Sequence, residues 1–251
     1  MLSGVARRLV GYLAALVAVL ALWALASVLV NSPALPPPTA AIDDFVRLRG
    51  DLAPQLLVSA WRVVASMTLA LAIGAPIGLA LGRSPRADSV AAPVVYLTYP
   101  IPKIVFLPVL LVLLGLGDSS KITLITLIVA FQILVTARDA SRNIATSALL
   151  SVRSLGASRL QIFRHVVLPA TLPEIFTALR ISTGTAIAVL FLSETVAGTS
   201  GLGWYIMDAS GRIAYSQMFA GILAMALLGV VLYELLDLAE RRLARWTTVG
   251  R

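Results

Sequence analysis

Long uncharged runs alternate along this chain with short stretches that are rich in arginine and proline. A helix needs about 20 mostly apolar residues to cross a bilayer. Six runs approach or exceed this length, and they predict spanning helices at residues 9–30, 56–81, 90–116, 122–137, 175–197 and 213–236. The third run contains four prolines. We therefore expect a kinked or broken helix there, with irregular backbone that is buried in protein or lines a wet cavity.

The first apolar run has two interpretations. It follows Arg7 and Arg8, and residues 24–26 resemble a signal-peptide cleavage site. The apolar part of a signal peptide is only about 7–15 residues long, however, so we interpret the run as an uncleaved first helix. Residues 1–50 then form this helix and a proline-rich outer segment. Residues 51–251 form the core, including an inner loop at about 138–174.

The composition favours an all-α membrane protein. Hydrophobic residues make up 59% of the chain and charged residues only 13%, about half of the charged share of a soluble domain. The net charge of +8 does not indicate a nucleic-acid partner, because the basic residues are scattered between apolar runs. The chain has no cysteine and a single histidine, His165, so we expect no metal site.

The distribution of cations predicts the orientation. With the amino terminus inside, fourteen of the twenty lysines and arginines fall in inner loops and tails. Five fall on the outer side: Arg47, Arg49, Arg62, Lys121 and Arg212. This positive-inside asymmetry predicts that both termini are cytoplasmic.

The basic inner loop contains a short amphipathic helix. Ser158 and Gln161 have the spacing of a capping box, so we expect the helix to begin there. Leu160, Phe163 and Val167 then share one face. The helix is expected to end at Pro169 and Pro173, after a preceding helix at about 141–155 and a turn at Gly156. From composition alone, this helix could lie on lipid headgroups or dock onto a cytoplasmic partner.

Charged residues inside apolar runs are candidates for function, because such charges are costly in a bilayer. Lys103 and Glu194 lie furthest from any predicted interface. Either they form an ion pair that joins the third and fifth helices, or Lys103 lies on a transport path and attracts an anion. The candidate path residues are Thr98, Tyr99, Lys103, Gln132, Ser193 and Glu194.

Two glycine patterns are also informative. Gly74, Gly78 and Gly82 share one helical face, which predicts close packing of the second helix. A second group, Gly198, Ser200, Gly201 and Gly203, follows the fifth helix and predicts a tight outer turn that forms an outer gate. An intramembrane protease with Ser200 as its nucleophile is a further alternative. It is disfavoured because the only histidine, His165, is expected on the opposite side of the membrane.

Five segments resemble one transporter family. Residues 154–169 are similar to the signature loop of ABC importer permeases, the membrane subunits of ATP-driven importers. Residues 74–83, 99–108, 115–122 and 193–203 are similar, in the same order, to the nitrate/sulfonate/taurine/bicarbonate branch of that family. One departure is that residues 150–152 read Leu-Ser-Val where the family loop opens Glu-Ala-Ala.

This resemblance implies a type I importer permease in a bacterial inner membrane. The implied partners are a second copy of the chain, two ATP-binding subunits, an external substrate-binding protein and the lipid bilayer, without nucleic acid. ATP and Mg²⁺ are expected only in the partner, because the chain lacks a phosphate-binding loop. The implied coupling residues are Gly156, Ala157, Ser158, Leu160, Phe163, Leu168 and Pro169.

The resemblance further implies a small anionic solute and no catalysis in this chain. Two alternatives stay open at this point. The same class of importer also carries vitamins or their precursors. A secondary transporter driven by an ion gradient is the other alternative, although it would leave the inner loop without a role and commonly shows inverted repeats.

Overall fold

The computed structural model describes residues 2–248, with the side chains of residues 10–196 and 198–246. Every regular element within this part is helical, as predicted. The helices are α1 (Leu2–Val30), α2 (Pro38–Arg47), α3 (Arg49–Arg83), α4 (Pro85–Thr98), α5 (Leu107–Leu114), α6 (Asp118–Arg142), α7 (Thr146–Ser154), α8 (Arg159–Ile162), α9 (Leu168–Ala197), α10 (Leu202–Gly211) and α11 (Tyr215–Leu243). We call the end that carries α7 inner and the end that carries α10 outer, following the predicted orientation.

The described residues contain five helices that are long and apolar enough to cross a membrane, and a broken sixth. The broken span is the pair α4 and α5, which meet at an angle of 82° across a 3₁₀ turn at Lys103–Phe106. Pro100 and Pro102 lie directly at this break, where proline cannot continue the helical hydrogen bonding. The number of spans and the break in the third one therefore agree with the sequence.

Helix α3 packs along α6 through its row of glycines. A Cβ atom on Gly74 would lie 2.5 Å from the carbonyl oxygen of Ala130. The same atom on Gly78 or Gly82 would lie closer still to the carbonyl of Leu134 or Arg138. Each glycine thus meets a carbonyl one turn further along α6, and any side chain would push the two helices apart. The predicted close packing is confirmed, and the partner is a helix of the same chain.

Ion pairs tie the inner ends of the helices together. The buried guanidinium of Arg138 on α6 binds Asp88 on α4 in a bidentate fashion, with one of the two contacts at 2.8 Å. On the other side of the bundle, Arg180 on α9 contacts Asp237 at 2.9 Å and Glu240 at 2.6 Å, both on α11. These contacts bring α4 to α6 and α9 to α11 at one end of the bundle.

Helix α1 is peripheral, because the apolar span Val10–Val30 buries little surface in the chain. Trp23 and Tyr12 are among the side chains that join it to the rest of the chain. The ring of Trp23 stacks on Phe219 at 5.2 Å while its indole N–H donates to the carbonyl of Pro36. Tyr12 donates to Glu234 at 3.0 Å. The apolar surface of α1 that this chain leaves exposed is available to lipid or to another chain.

Two helices were missed in the sequence. Pro37 ends the extended segment and α2 begins at Pro38, which suits proline at the first turn of a helix. Helix α10 follows the outer glycine turn and buries Leu202 and Ile206 against the core. Both are only 10 residues long, so neither forms an apolar run of spanning length.

The prediction for the inner helix is partly wrong. The capping box of Ser158 and Gln161 is present, so the start is confirmed. The helix does not end at Pro169, however. It continues through a π-helical turn at Phe163–Val167 into α9, and the candidate span is Arg159–Val196. Pro169 is the second residue of α9, which directly follows the π turn.

The π turn also separates the predicted apolar face. Val167 is 2% exposed and belongs to the core, whereas Leu160 is 73% and Phe163 40% exposed. A π turn holds more residues than an α turn, so it rotates Val167 away from the other two side chains. The preceding helix was also placed too early, because Ser141 belongs to α6 and α7 begins at Thr146.

Candidate functional sites

The break between α4 and α5 forms a pocket against α6. Its volume is about 290 Å³, and it is lined by Tyr99, Ile101, Lys103, Ile104, Ile128, Phe131 and Gln132. Three predicted path residues, Tyr99, Lys103 and Gln132, thus meet in one place, and Thr98 lies at the adjoining end of α4. The volume is at the lower limit of about 300–1,000 Å³ that is typical of small-molecule sites.

Lys103 lies at the carboxyl end of α4. Its ammonium donates to the carbonyl oxygens of Thr98 at 3.1 Å and Tyr99 at 3.5 Å, and it lies 4.0 Å from the ring centroid of Phe131. These carbonyls lie beyond the regular hydrogen bonding of α4, although that of Thr98 also accepts from the N–H of Ile101 at 3.3 Å. The carboxyl end of a helix favours a cation. Within the described residues no carboxylate lies within ion-pair distance of this ammonium. The positive charge is therefore stabilised by dipoles and a ring but is not neutralised.

Gln132 is held by α9. The hydroxyl of Ser182 donates to the side-chain oxygen Oε1 of Gln132 at 2.8 Å. Ser182 is buried, while Gln132 is half-buried and faces the pocket. The amide nitrogen Nε2 of Gln132 makes no hydrogen bond to any described residue.

The predicted ion pair between Lys103 and Glu194 is wrong. Glu194 is fully buried at the outer end and accepts from Arg62 at 2.8 Å and from Ser59 at 2.9 Å. Arg62 extends the cluster to Asp118 on α6, at 2.8 Å. We call Ser59, Arg62, Asp118 and Glu194 the outer cluster. Arg62 takes the role assigned to Lys103 because α3 brings it to the same depth as Glu194, whereas Lys103 is held in the break.

The outer loop is built around Glu194. The carboxylate accepts from the backbone N–H of Gly203 at 2.8 Å, and Arg62 donates to both the carbonyl and the hydroxyl of Ser200. Gly201 has a φ of +103°, and a Cβ there would overlap the carboxylate of Glu194. Gln55 accepts the N–H of Gly201 at 2.7 Å. The predicted tight turn is confirmed.

The glycines on either side fit the same site. A Cβ on Gly198 would overlap the carbonyl of Glu194, and a Cβ on Gly203 would lie 2.7 Å from the Cβ of Glu194. Ser193 is fully buried and donates to the carbonyl of Leu190. Neither Ser193 nor Glu194 therefore faces an open path in this conformation.

The role of Arg62 and its neighbours Ser59 and Gln55 was not predicted from the sequence. A signal was present, because Arg62 interrupts an apolar run just as Glu194 does. Two buried charges of opposite sign are expected to pair. Arg62 was instead assigned to the outer interface, because the predicted second run began at residue 56 whereas α3 begins at Arg49.

Residues 155–169, at the inner end of the bundle, expose several apolar side chains. Gly156 has a φ of +83°, which allows the turn between α7 and α8. Leu155, Leu160 and Phe163 are exposed, while Ala157, Leu168 and Pro169 are half-buried. Exposed leucine and phenylalanine side chains on one short segment are typical of a contact surface. Among the described residues no group of acidic or histidine side chains is arranged to hold a metal ion.

Comparisons with known proteins indicate a single family. The profile described as "Binding-protein-dependent transport system inner membrane component" matches residues 71–245. The taurine transport system permease protein TauC of Escherichia coli K12 is 32% identical over 232 residues, covering 89% of this chain and 84% of the relative. The putative aliphatic sulfonates transport permease protein SsuC of Bacillus subtilis 168 is 29% identical, covering 91% and 84%.

The fold also has a solved counterpart. A chain of the MetNI methionine ABC transporter, in an inward-facing conformation, aligns with a TM-score of 0.61 and 26% identity. The alignment covers 82% of this chain and 99% of that one.

Proposed function

The chain belongs to the family of binding-protein-dependent transport system inner membrane components, and from this premise we propose that it moves a small organic solute with an anionic head group past Lys103. It is a multi-pass permease of the ABC importer class with the type I fold. Two relatives are named for taurine and for aliphatic sulfonates. A sulfonate, which keeps its negative charge at every physiological pH, is therefore the proposed cargo.

The observation that carries the proposal is the charge of Lys103. The other cations described above, Arg62, Arg138 and Arg180, each contact at least one carboxylate. Lys103 contacts only carbonyl oxygens and a ring, and it borders a pocket. In a low-dielectric region an un-neutralised cation attracts an anion much more strongly than it would in water.

The energy for transport comes, in this proposal, from a separate ATPase. Two ATP-binding subunits bind the inner surface formed by Gly156, Ser158, Leu160 and Phe163, with Ala157, Leu168 and Pro169 supporting it. The exposed Leu160 and Phe163 side chains support this assignment. Residues 150–152 read Leu-Ser-Val and lack the acidic residue of the family loop. Binding of the ATPase subunits therefore depends more on the apolar side chains of Leu160 and Phe163.

The remaining partners follow from the same class. An external binding protein delivers the solute at the outer loop of Gly198, Ser200, Gly201 and Gly203, which acts as the outer gate. A second copy of the chain completes the path, and both termini lie in the cytoplasm. The chain itself has no catalytic role.

The test is uptake of labelled taurine by proteoliposomes that contain the permease, its ATPase and its binding protein. Lys103→Met should raise the KM for taurine about tenfold or more, because one charge-assisted interaction is lost. Lys103→Arg keeps the charge and should retain most of the affinity. An unchanged KM in Lys103→Met would exclude the anion path, and uptake of riboflavin but not of taurine would favour a vitamin importer.

Two controls test the energy source. Vanadate, which traps the ATPase, should abolish uptake. Uptake in liposomes that contain the purified permease alone would contradict the proposal and would favour a gradient-driven transporter.

A further inference from the structure

In the structure, the amide oxygen of Gln132 is turned towards Ser182 on α9. An amide has one oxygen acceptor and two N–H donors. Because the Ser182 hydroxyl binds Oε1 at 2.8 Å, the acceptor is occupied on the α9 side. Nε2 has no partner among the described residues, so its donors are left for a ligand.

A second residue that lines the pocket, Lys103, also presents a donor. The ammonium of Lys103 has three N–H groups, and the carbonyls of Thr98 and Tyr99 occupy two of them. Beside these donors lie the rings of Tyr99 and Phe131, whose centroids are 5.9 Å apart. The polar side chains Lys103 and Gln132 thus offer donors, while the rings supply an apolar wall.

We propose that Ser182, by orienting Gln132, makes this pocket selective for organic anions whose head group only accepts hydrogen bonds, such as a sulfonate. This inference rests on the proposed function and adds a selectivity device to it. A neutral solute of the same size would leave the ammonium without a counter-charge. If the amide were reversed, Oε1 would face the anion and repel it. A site built to hydrogen-bond one group rejects analogues that lack it, because its own polar groups are then unpaired.

The absence of cysteine in the chain permits a test that does not depend on transport. Ile128→Cys places one thiol in the lining of the pocket. The full-length permease in nanodiscs is treated with two methanethiosulfonates of similar size, the anionic sulfonatoethyl and the cationic trimethylammonioethyl reagent. The measured quantity is the ratio of the two modification rates.

We expect the anionic reagent to react faster in the background that carries only Ile128→Cys. Adding Ser182→Ala or Gln132→Leu should lower the rate ratio about tenfold, the effect of one hydrogen bond to a charged group. Ser182→Thr keeps the hydroxyl and should keep the ratio. The matched control is Thr183→Ala, which removes a neighbouring buried hydroxyl that donates only to the backbone carbonyl of Leu179. It should leave the ratio unchanged.

The outcomes separate this inference from the proposed function. If Lys103→Met lowers the ratio but Ser182→Ala does not, the selectivity role of Ser182 is excluded and the anion path stands. If Ser182→Ala and Thr183→Ala lower it equally, Ser182 acts only through packing and the inference fails. In the uptake assay, Ser182→Ala should raise the KM for taurine without changing the maximal rate, a split that general loss of structure would not produce.

Discussion

Arg62 and Lys103 both lie within predicted membrane spans, and their surroundings differ. Arg62 is 3% exposed and contacts two carboxylates, a serine hydroxyl and a backbone carbonyl. Lys103 is half-buried and contacts two carbonyls and a ring beside a pocket. A buried cation that is neutralised by carboxylates of the same chain stabilises the fold. A charge without an acidic partner is available to a ligand.

The backbone around Arg62 also differs from the backbone around Lys103. At the outer cluster, α3, α6, α9 and the loop before α10 are joined by side-chain hydrogen bonds to one carboxylate and one guanidinium. At the pocket, the helix is broken between α4 and α5, and most residues of α4 are exposed on the surface of the chain. We expect the first region to resist deformation and the second to change shape at low cost.

The strongest test of this contrast removes the carboxylate of Glu194. Glu194→Ala leaves Arg62 buried without its full counter-charge, which should lower the free energy of unfolding by about 3–5 kcal/mol. The measurement is thermal or denaturant unfolding of the detergent-solubilised permease. Glu194→Ala combined with Arg62→Met should recover part of the loss. A change of less than about 1 kcal/mol would contradict a structural role for the cluster.

Two glycine substitutions test the outer loop, and the expected loss of stability is smaller than for Glu194→Ala. Gly201→Ala places a Cβ against Glu194 at a φ of +103° and should lower the free energy of unfolding by about 2–4 kcal/mol, from backbone strain and overlap together. Gly115→Ala is the matched control. Gly115 has a φ of +80° but open space around it, so only about 1–2 kcal/mol of strain is expected. If the two variants lost the same amount of stability, the Glu194 side chain would have moved aside at little cost, and the predicted overlap at Gly201 would be contradicted.

The smallest stability effect is predicted for Lys103. Lys103→Met leaves the carbonyls of Thr98 and Tyr99 at a half-buried helix end, where water can replace the ammonium. The loss of stability should be about 1 kcal/mol or less, measured by the same unfolding assay, while taurine uptake falls strongly. A loss as large as that of Glu194→Ala would mean that Lys103 is a structural cation after all.

The apolar pattern predicted most of the fold. The number of spans followed from run length, and the break in the third span followed from its prolines. The capping box at Ser158 and the glycine face of α3 were also readable, because each depends on residues close together in sequence. These features are fixed by local backbone chemistry, which a sequence carries directly.

The features that were missed depend on tertiary contacts. The pairing of Arg62 with Glu194 joins residues 132 positions apart, and no local pattern selects that partner over Lys103. The π turn at Phe163–Val167 was missed because the buried position of Val167 is set by the helices around it, not by its neighbours in the chain. The grouping of Tyr99, Lys103 and Gln132 was predicted only as a shared path, without the orientation that Ser182 gives.

The continuous helical segment Arg159–Val196 connects the two ends of the bundle. Its first turn lies at the inner surface, and Glu194 lies near its last turn. We therefore expect a displacement applied at the first turn to be transmitted along this segment to Glu194. The π turn at Phe163–Val167 and Pro173 inside α9 both interrupt the regular hydrogen bonding, so the segment can bend or change its length at these positions.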